Sequence, residues 1–210
     1  MTLKIYGTAA SRAARPLWVA HELGLAYEHI SIPYLGGATR TPEFLAINPN
    51  GHIPVVDDEG VLVWESMACA LYLAGRFKPS GAPSLAAENH AEQAEILRWS
   101  FWVVTECEKD ALIFLMHRLL MSAERRKPQL ADEAQRRLLG PLRVLEQHLQ
   151  TRSYLAAERF TVADICVASV LAWVQDATEL MTQCPCVDDW LRRCLARPAF
   201  REVRLIARSA

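Results

Sequence analysis

The chain has no excess of either charge. Its 210 residues carry 23 Lys and Arg against 24 Asp and Glu, a formal net charge of −1. That balance offers no global basic field to attract nucleic acid or an anionic lipid surface, so neither is expected as a partner. Uncharged apolar runs long enough to span a bilayer are also missing, so no membrane-spanning segment is expected. The start, Met1-Thr2-Leu3-Lys4-Ile5-Tyr6, lacks the apolar stretch and cleavage site of a signal peptide. The expected location is therefore cytoplasmic. The chain shows no internal repeat and no low-complexity tract. With 51% hydrophobic and 22% charged residues, it does not have the composition of a disordered chain.

What is present is enough apolar material for a sizeable core, in one large domain or two small ones. Six cysteines would suit a secreted disulfide frame, but a reduced compartment makes free thiols the expectation. Cys69, Cys107, Cys166 and Cys194 lie in apolar helical stretches, where buried thiols are expected. Cys184-Pro185-Cys186 has no second Cys or His pair to complete a zinc site, so no metal is expected.

The texture of the chain changes partway along. Leu3 to Tyr6 reads as a strand, Arg15 to Leu23 as a helix ending at Gly24, and Tyr27 to Ile32 as a strand. Strand, helix, strand predicts a parallel pair with a right-handed crossover. Ile53 to Val56 and Val61 to Trp64 are apolar runs around Asp57-Asp58-Glu59-Gly60, a hairpin signal. Ser66 to Phe77 reads as helix. Beyond the linker the signals are helical only: Glu88 to Leu120, Leu130 to Gln150 with a kink or break at Gly140-Pro141, Thr161 to Thr178, and Asp188 to Leu195. The expected organisation is an α/β domain over 1–78, a linker over 79–84 and an all-helical domain over 85–210.

Three segments of the first domain carry chemistry. In Gly7-Thr8-Ala9-Ala10-Ser11-Arg12-Ala13-Ala14-Arg15 a strand gives way to a small-residue loop, with a hydroxyl just before a helix N-terminus. Such a place favours an anion, though Ser11 could equally serve as a plain cap. In Asn48-Pro49-Asn50-Gly51-His52-Ile53-Pro54-Val55 a proline enters an apolar strand run. That junction suits either a cis bond, which would turn the Ile53 N–H and C=O outward toward an extended peptide, or an ordinary edge-strand proline. In Trp64-Glu65-Ser66 a strand runs straight into a helix. Glu65 and the first-turn N–H groups suit a head group bearing both ammonium and carboxylate, and Ser66 also suits capping.

Together with Phe160-Thr161-Val162-Ala163-Asp164 and Arg197-Pro198-Ala199-Phe200, these segments resemble the cytosolic glutathione transferase family, of bacterial type with a serine-type active site. The resemblance covers essentially the whole chain. It implies a thioredoxin-like α/β domain followed by an all-α helical bundle. Phe160 to Asp164 resembles the family's buried capping box with hydrophobic staple.

By the same resemblance Ser11 takes the place of the catalytic hydroxyl, with Tyr6 at the end of the first strand as the rival donor. Ile53, beside Pro54, would pair with the cysteinyl part of glutathione. Glu65 and Ser66 would hold the γ-glutamyl end. His52 and Arg40 would approach the tripeptide, Arg40 at the glycyl carboxylate. Arg15 falls on a frequent arginine of the family and would add positive potential near the sulfur or, preferably, pair structurally.

Glutathione would be a co-substrate. Its thiol, with a pKa of ~8.5, is only about 3% ionised at neutral pH, so a hydroxyl donating to sulfur would raise the reactive fraction. The partner would be a small hydrophobic electrophile or a peroxide, in a pocket of the helical domain that Trp102 and Phe114 could line. A homodimer with a detoxification role is expected. The alternatives are a non-catalytic binding module of the same fold and a glutathione-dependent isomerase or dehalogenase. No cysteine lies in the Gly7 to Arg15 loop, which disfavours the cysteine-type classes.

Overall fold

A computed structural model describes residues 3–78 and 83–209. Residues 79–82 of the expected linker lie outside the described residues. The chain forms two compact units, Met1–Ala86 with Ala196–Ala210, and Ala87–Leu195.

In the first unit the elements are β1 (Leu3–Tyr6), α1 (Ala14–Glu22), β2 (Tyr27–Ile30), a 3₁₀ turn (Ala38–Arg40), α2 (Pro42–Ile47), β3 (Val55–Asp58), β4 (Val61–Trp64) and α3 (Ser66–Arg76). The strand order is β2-β1-β3-β4. β1 and β2 are parallel, as a strand-helix-strand unit requires, and the other two pairings are antiparallel. Pro16 sits in the first turn of α1, where its missing N–H costs nothing. Leu17, Trp18, Val19 and Ala20 of this helix are buried, as are Ile5, Val55 and Val56 of the sheet.

β3 starts two residues later than the sequence suggests and takes in Asp57 and Asp58, so the hairpin turn is only Glu59-Gly60. Asp58 can enter the strand because its carboxylate is satisfied. It accepts from the Tyr72 hydroxyl at 2.7 Å and pairs with Arg76 at 3.3 Å.

The second unit is helical among its described residues. α4 (His90–Trp102) continues through a π-helical turn (Val103–Cys107) into α5 (Glu108–Leu115) and a second π-helical turn (Met116–Leu120). The long helix read from the sequence is thus one run with two wide turns. α6 (Pro128–Leu149) is unbroken at Pro141, contrary to expectation. Proline removes one backbone bond there, while Ala131, Ala134, Leu138, Leu142, Leu145 and Leu149 form a continuous buried stripe that holds the helix together.

α7 (Val162–Leu171) is buried along its whole length. It ends in a 3₁₀ turn at Ala172–Val174, short of the expected Thr178, and α8 (Thr178–Thr182) and α9 (Pro185–Leu195) follow. The expected capping box is present at the start of α7, with Thr161 and Asp164 exchanging side-chain and backbone bonds. Asp164 is fully buried. It accepts from Thr161 N (2.9 Å), Thr161 Oγ1 (3.2 Å), Leu155 N (3.2 Å) and Trp190 Nε1 (2.9 Å). Burial nevertheless dominates and pushes its carboxyl up to about 6.

A last helix, α10 (Pro198–Ser209), was not anticipated and belongs to the first unit. Arg197 precedes it and forks onto Glu22 at 2.6 and 2.7 Å, while the ring of Phe200 lies 4.5 Å from that of Trp18. The Arg197-Pro198-Ala199-Phe200 motif therefore fastens the end of the chain to α1.

Candidate active site

The sheet register gathers the three chemistry-bearing segments. Tyr6, the last residue of β1, pairs with Val55, the first of β3, and Val55 pairs with Trp64, the last of β4. The loop after β1, the turn before β3 and the start of α3 therefore leave the sheet at the same end. Gly7 brings two of them together. Its φ is +122°, and a Cβ there would lie 2.9 Å from Cβ of Ile53. Only glycine supplies that conformation and that approach without strain.

Ser11 lies in the turn before α1 and is half-buried. Its hydroxyl donates to the Thr8 carbonyl at 2.7 Å and accepts from Ala13 N at 3.1 Å. The Thr8 carbonyl also accepts from Ser11 N at 3.1 Å, so it stays satisfied when the hydroxyl turns away. Tyr6 is half-buried at the strand end. From the neighbouring strand, His29 Nε2 contacts the Gly7 carbonyl at 2.8 Å, and Thr8 N donates to Ile32 O at 3.0 Å. Thr8 and His29 thus fix the loop that carries Ser11. The small-residue composition of the loop gave no sign of either role.

The Ile53–Pro54 bond is cis. Among the described residues, no hydrogen bond uses the Ile53 N–H or C=O. A buried Asn48 shapes the turn before it, donating from Nδ2 to His52 O at 2.6 Å and accepting from Asn50 N at 3.1 Å. Arg40 reaches the same turn, with Nη1 3.1 Å from Asn50 O and packed on Gly51, where a Cβ would come within 2.7 Å of it. His52 is exposed beside it.

At the start of α3, Glu65 is exposed and adopts φ 71°, ψ 120°, a conformation that L-residues rarely hold. The first helical bond is Cys69 N to Glu65 O at 2.8 Å, so the N–H groups of Ser66 and Met67 precede the ladder. Ser66 is buried, and its Oγ accepts from Arg15 Nη1 at 2.6 Å. Arg15, itself only 2% exposed, thereby links the first turn of α1 to the first residue of α3.

In the helical unit Trp102 packs edge-on to Trp99 with centroids 5.0 Å apart. Phe114 is buried and lines a cavity of about 360 Å³ together with Arg118, Leu119, Asp132, Gln135 and Glu179; Trp102 is not among its lining residues. All six cysteines are free thiols, and five are buried. Burial drives the thiols of Cys69 and Cys107 up to about 12, where they are inert at neutral pH. Among the described residues, no helix is long and apolar enough to cross a membrane, and no group of three or more His, Cys, Asp or Glu could hold a metal ion.

Comparison with known proteins agrees with this geometry. Family models described as "Glutathione S-transferase, N-terminal domain" and "Glutathione S-transferase, C-terminal domain" match residues 1–75 and 109–198. Glutathione S-transferase 3 of Zea mays is 31% identical over 212 residues, covering 95% of this chain and 92% of its own. Elongation factor 1-gamma of Equus caballus is 30% identical over 200 residues, covering 91% of this chain. The match takes in only 44% of that relative, so the chain spans less than half the length of the elongation factor relatives it matches. Among solved structures, the theta class glutathione S-transferase of Xanthomonas axonopodis pv. citri with glutathione bound superposes with a TM-score of 0.84 at 27% identity, covering 96% of each chain. A thioredoxin-like α/β unit, a helical unit and two matched family models together place this chain in the glutathione S-transferase family.

Proposed function

We propose that the protein is a glutathione transferase of serine type. The observation that carries this reading is the convergence, at one end of one sheet, of a donor hydroxyl, a backbone segment at Ile53 without a described partner and an open helix start. In this reading the cysteinyl backbone of glutathione pairs with Ile53 beside Pro54. The γ-glutamyl end sits at Glu65 and Ser66, where a carboxylate accepts from helix N–H groups and the hydroxyl, and Glu65 accepts from the ammonium. Arg40 and His52, on the adjoining turn, face the glycyl carboxylate.

Ser11 then exchanges its bond to the Thr8 carbonyl for one to sulfur. Donation to sulfur favours thiolate over thiol, and each pKa unit of lowering corresponds to about 1.4 kcal/mol. The serine is not consumed: the sulfur of glutathione attacks the electrophilic carbon and the leaving group departs with its electron pair. The electrophile is a small molecule of hydrophobic character, Trp102 and Phe114 are the aromatics proposed for its pocket, and the assembly is a cytoplasmic homodimer with a detoxification role.

The test is a titration of glutathione binding followed by a thiol-conjugation assay on wild type and Ser11→Ala. Binding with a large loss of rate in the variant supports the reading. Unchanged rate in Ser11→Ala, with loss in Tyr6→Phe, transfers the role to Tyr6.

The elongation factor 1-gamma likeness favours a second reading, a glutathione transferase fold kept as a binding module without catalysis. Absence of glutathione binding at millimolar concentration would decide for it. An isomerase or dehalogenase using glutathione differs only in its electrophile, and a substrate screen separates it from conjugation.

A further inference from the structure

Arg15 is the least exposed cation of the first unit, at 2%, and a guanidinium keeps its charge when buried. It has donors only, so in its 2.6 Å contact with Ser66 the serine oxygen must be the acceptor. The single proton of Ser66 is thereby turned away from Arg15. Among the described residues, no hydrogen bond takes it up. Ser66 is only 6% exposed, and it opens α3 beside N–H groups that precede the helical ladder. A buried hydroxyl that accepts from a cation is polarised and becomes a stronger donor.

We infer that Arg15 is a positioning residue for the γ-glutamyl α-carboxylate: by fixing Ser66 as an acceptor it aims the Ser66 proton at that carboxylate. This rests on the reading of the site as a glutathione site. It also differs from a role at the sulfur or a purely structural one. Arg15 acts on the opposite end of the tripeptide from Ser11, and its effect depends on a carboxylate being present in the ligand.

That dependence supplies the test. Calorimetry compares glutathione with 4-aminobutyryl-cysteinyl-glycine, which lacks only the α-carboxylate. Wild type is expected to prefer glutathione by about tenfold or more, the size of one charge-assisted hydrogen bond. Arg15→Met should reduce that preference to about twofold, and Ser66→Ala should reduce it similarly. Adding Arg15→Met to Ser66→Ala should change the preference little, because both act through one hydroxyl.

A structural role predicts something else: Arg15→Met would weaken both ligands equally and leave the preference intact, and that result overturns the inference. If Arg15→Met does not fold, Arg15→Lys decides. It keeps the charge but loses the fixed fork, so a preference cut to about threefold supports the role and an intact one overturns it. Failure of wild type to bind either ligand at millimolar concentration overturns the glutathione reading itself, a separate outcome.

Discussion

The two units spend their polar groups differently. In the helical unit several are turned inward and matched in networks, although Trp99 Nε1 and Ser100 Oγ are buried there without a partner among the described residues. Asp164 collects four donors, Glu146 accepts from Cys186 N and Val187 N at 3.1 and 2.9 Å to cap α9, and Arg159 forks onto Glu92 at 3.0 and 2.7 Å. In the α/β unit the sheet end holds the reverse: an Ile53 backbone without a described partner, a Ser66 proton without one, and Glu65 in a rarely populated conformation. Satisfied polar networks make a fold unique, while unsatisfied ones are tolerated where a ligand completes them. The contrast separates residues that hold the protein together from residues kept ready for something else, and mutations should respect that division.

The largest expected effect is at Asp164. Asp164→Ala leaves Thr161 N, Leu155 N and Trp190 Nε1 buried without an acceptor, and should cost about 3–5 kcal/mol of unfolding free energy by denaturant titration. The same carboxyl carries a pH signature. Its folded pKa of about 6 lies above the ordinary value of 3.8, so the native state binds the extra proton between those values. Stability from this group is therefore present at pH 4 and is lost as pH rises through 6, by about 3 kcal/mol. The stability of wild type minus that of Asp164→Asn should fall by that amount over this range. A difference that is flat with pH would show that the carboxyl does not titrate there.

Next is Ser11→Ala. It should lower kcat/KM for thiol conjugation by roughly 100-fold, about 2.7 kcal/mol, with an unchanged unfolding midpoint. A stability loss without a rate loss would place Ser11 with the structural polar groups and dissolve the contrast. Glu65→Gln removes the partner proposed for the ligand ammonium and should raise KM for glutathione about fivefold to tenfold, with kcat within twofold. Equal loss of kcat would show that Glu65 acts beyond binding. The smallest effect is at Glu146→Gln. It weakens the cap on α9 by about 1 kcal/mol in thermal unfolding and leaves glutathione affinity alone. A change in affinity would mean that the helical unit's network reaches the site.

Much of this arrangement was legible in the chain. The Leu3 to Tyr6 and Val61 to Trp64 strands and the cis alternative at Pro54 follow from local rules of pairing and proline chemistry, and the Thr161–Asp164 box was implied by the family resemblance. The failures came where long-range packing overrides such rules. Pro141 sits in an unbroken helix because a leucine stripe three turns long is buried around it. α10 was missed because, among the described residues, only Phe200 and Val203 of its side chains are buried, and the contact that fixes it, Arg197 to Glu22, joins residues 175 positions apart. At the site, residue types pointed to Ser11, Ile53, Glu65 and Ser66. They could not reveal the Arg15–Ser66 contact, the Arg40 approach to Gly51, or the Thr8 carbonyl that occupies the Ser11 proton. Each of these depends on where two separate segments, or one turn, come to rest.

The Thr8 carbonyl has a consequence for turnover. On the proposed reading it is a resting berth for the Ser11 proton, 2.7 Å away and available in every cycle. A thiolate draws the proton off this berth because it is charged. A thioether product is a feeble acceptor and cannot compete with a carbonyl. Once the new carbon–sulfur bond forms, the hydroxyl swings home, and the grip on sulfur loosens at the moment the conjugate has to leave.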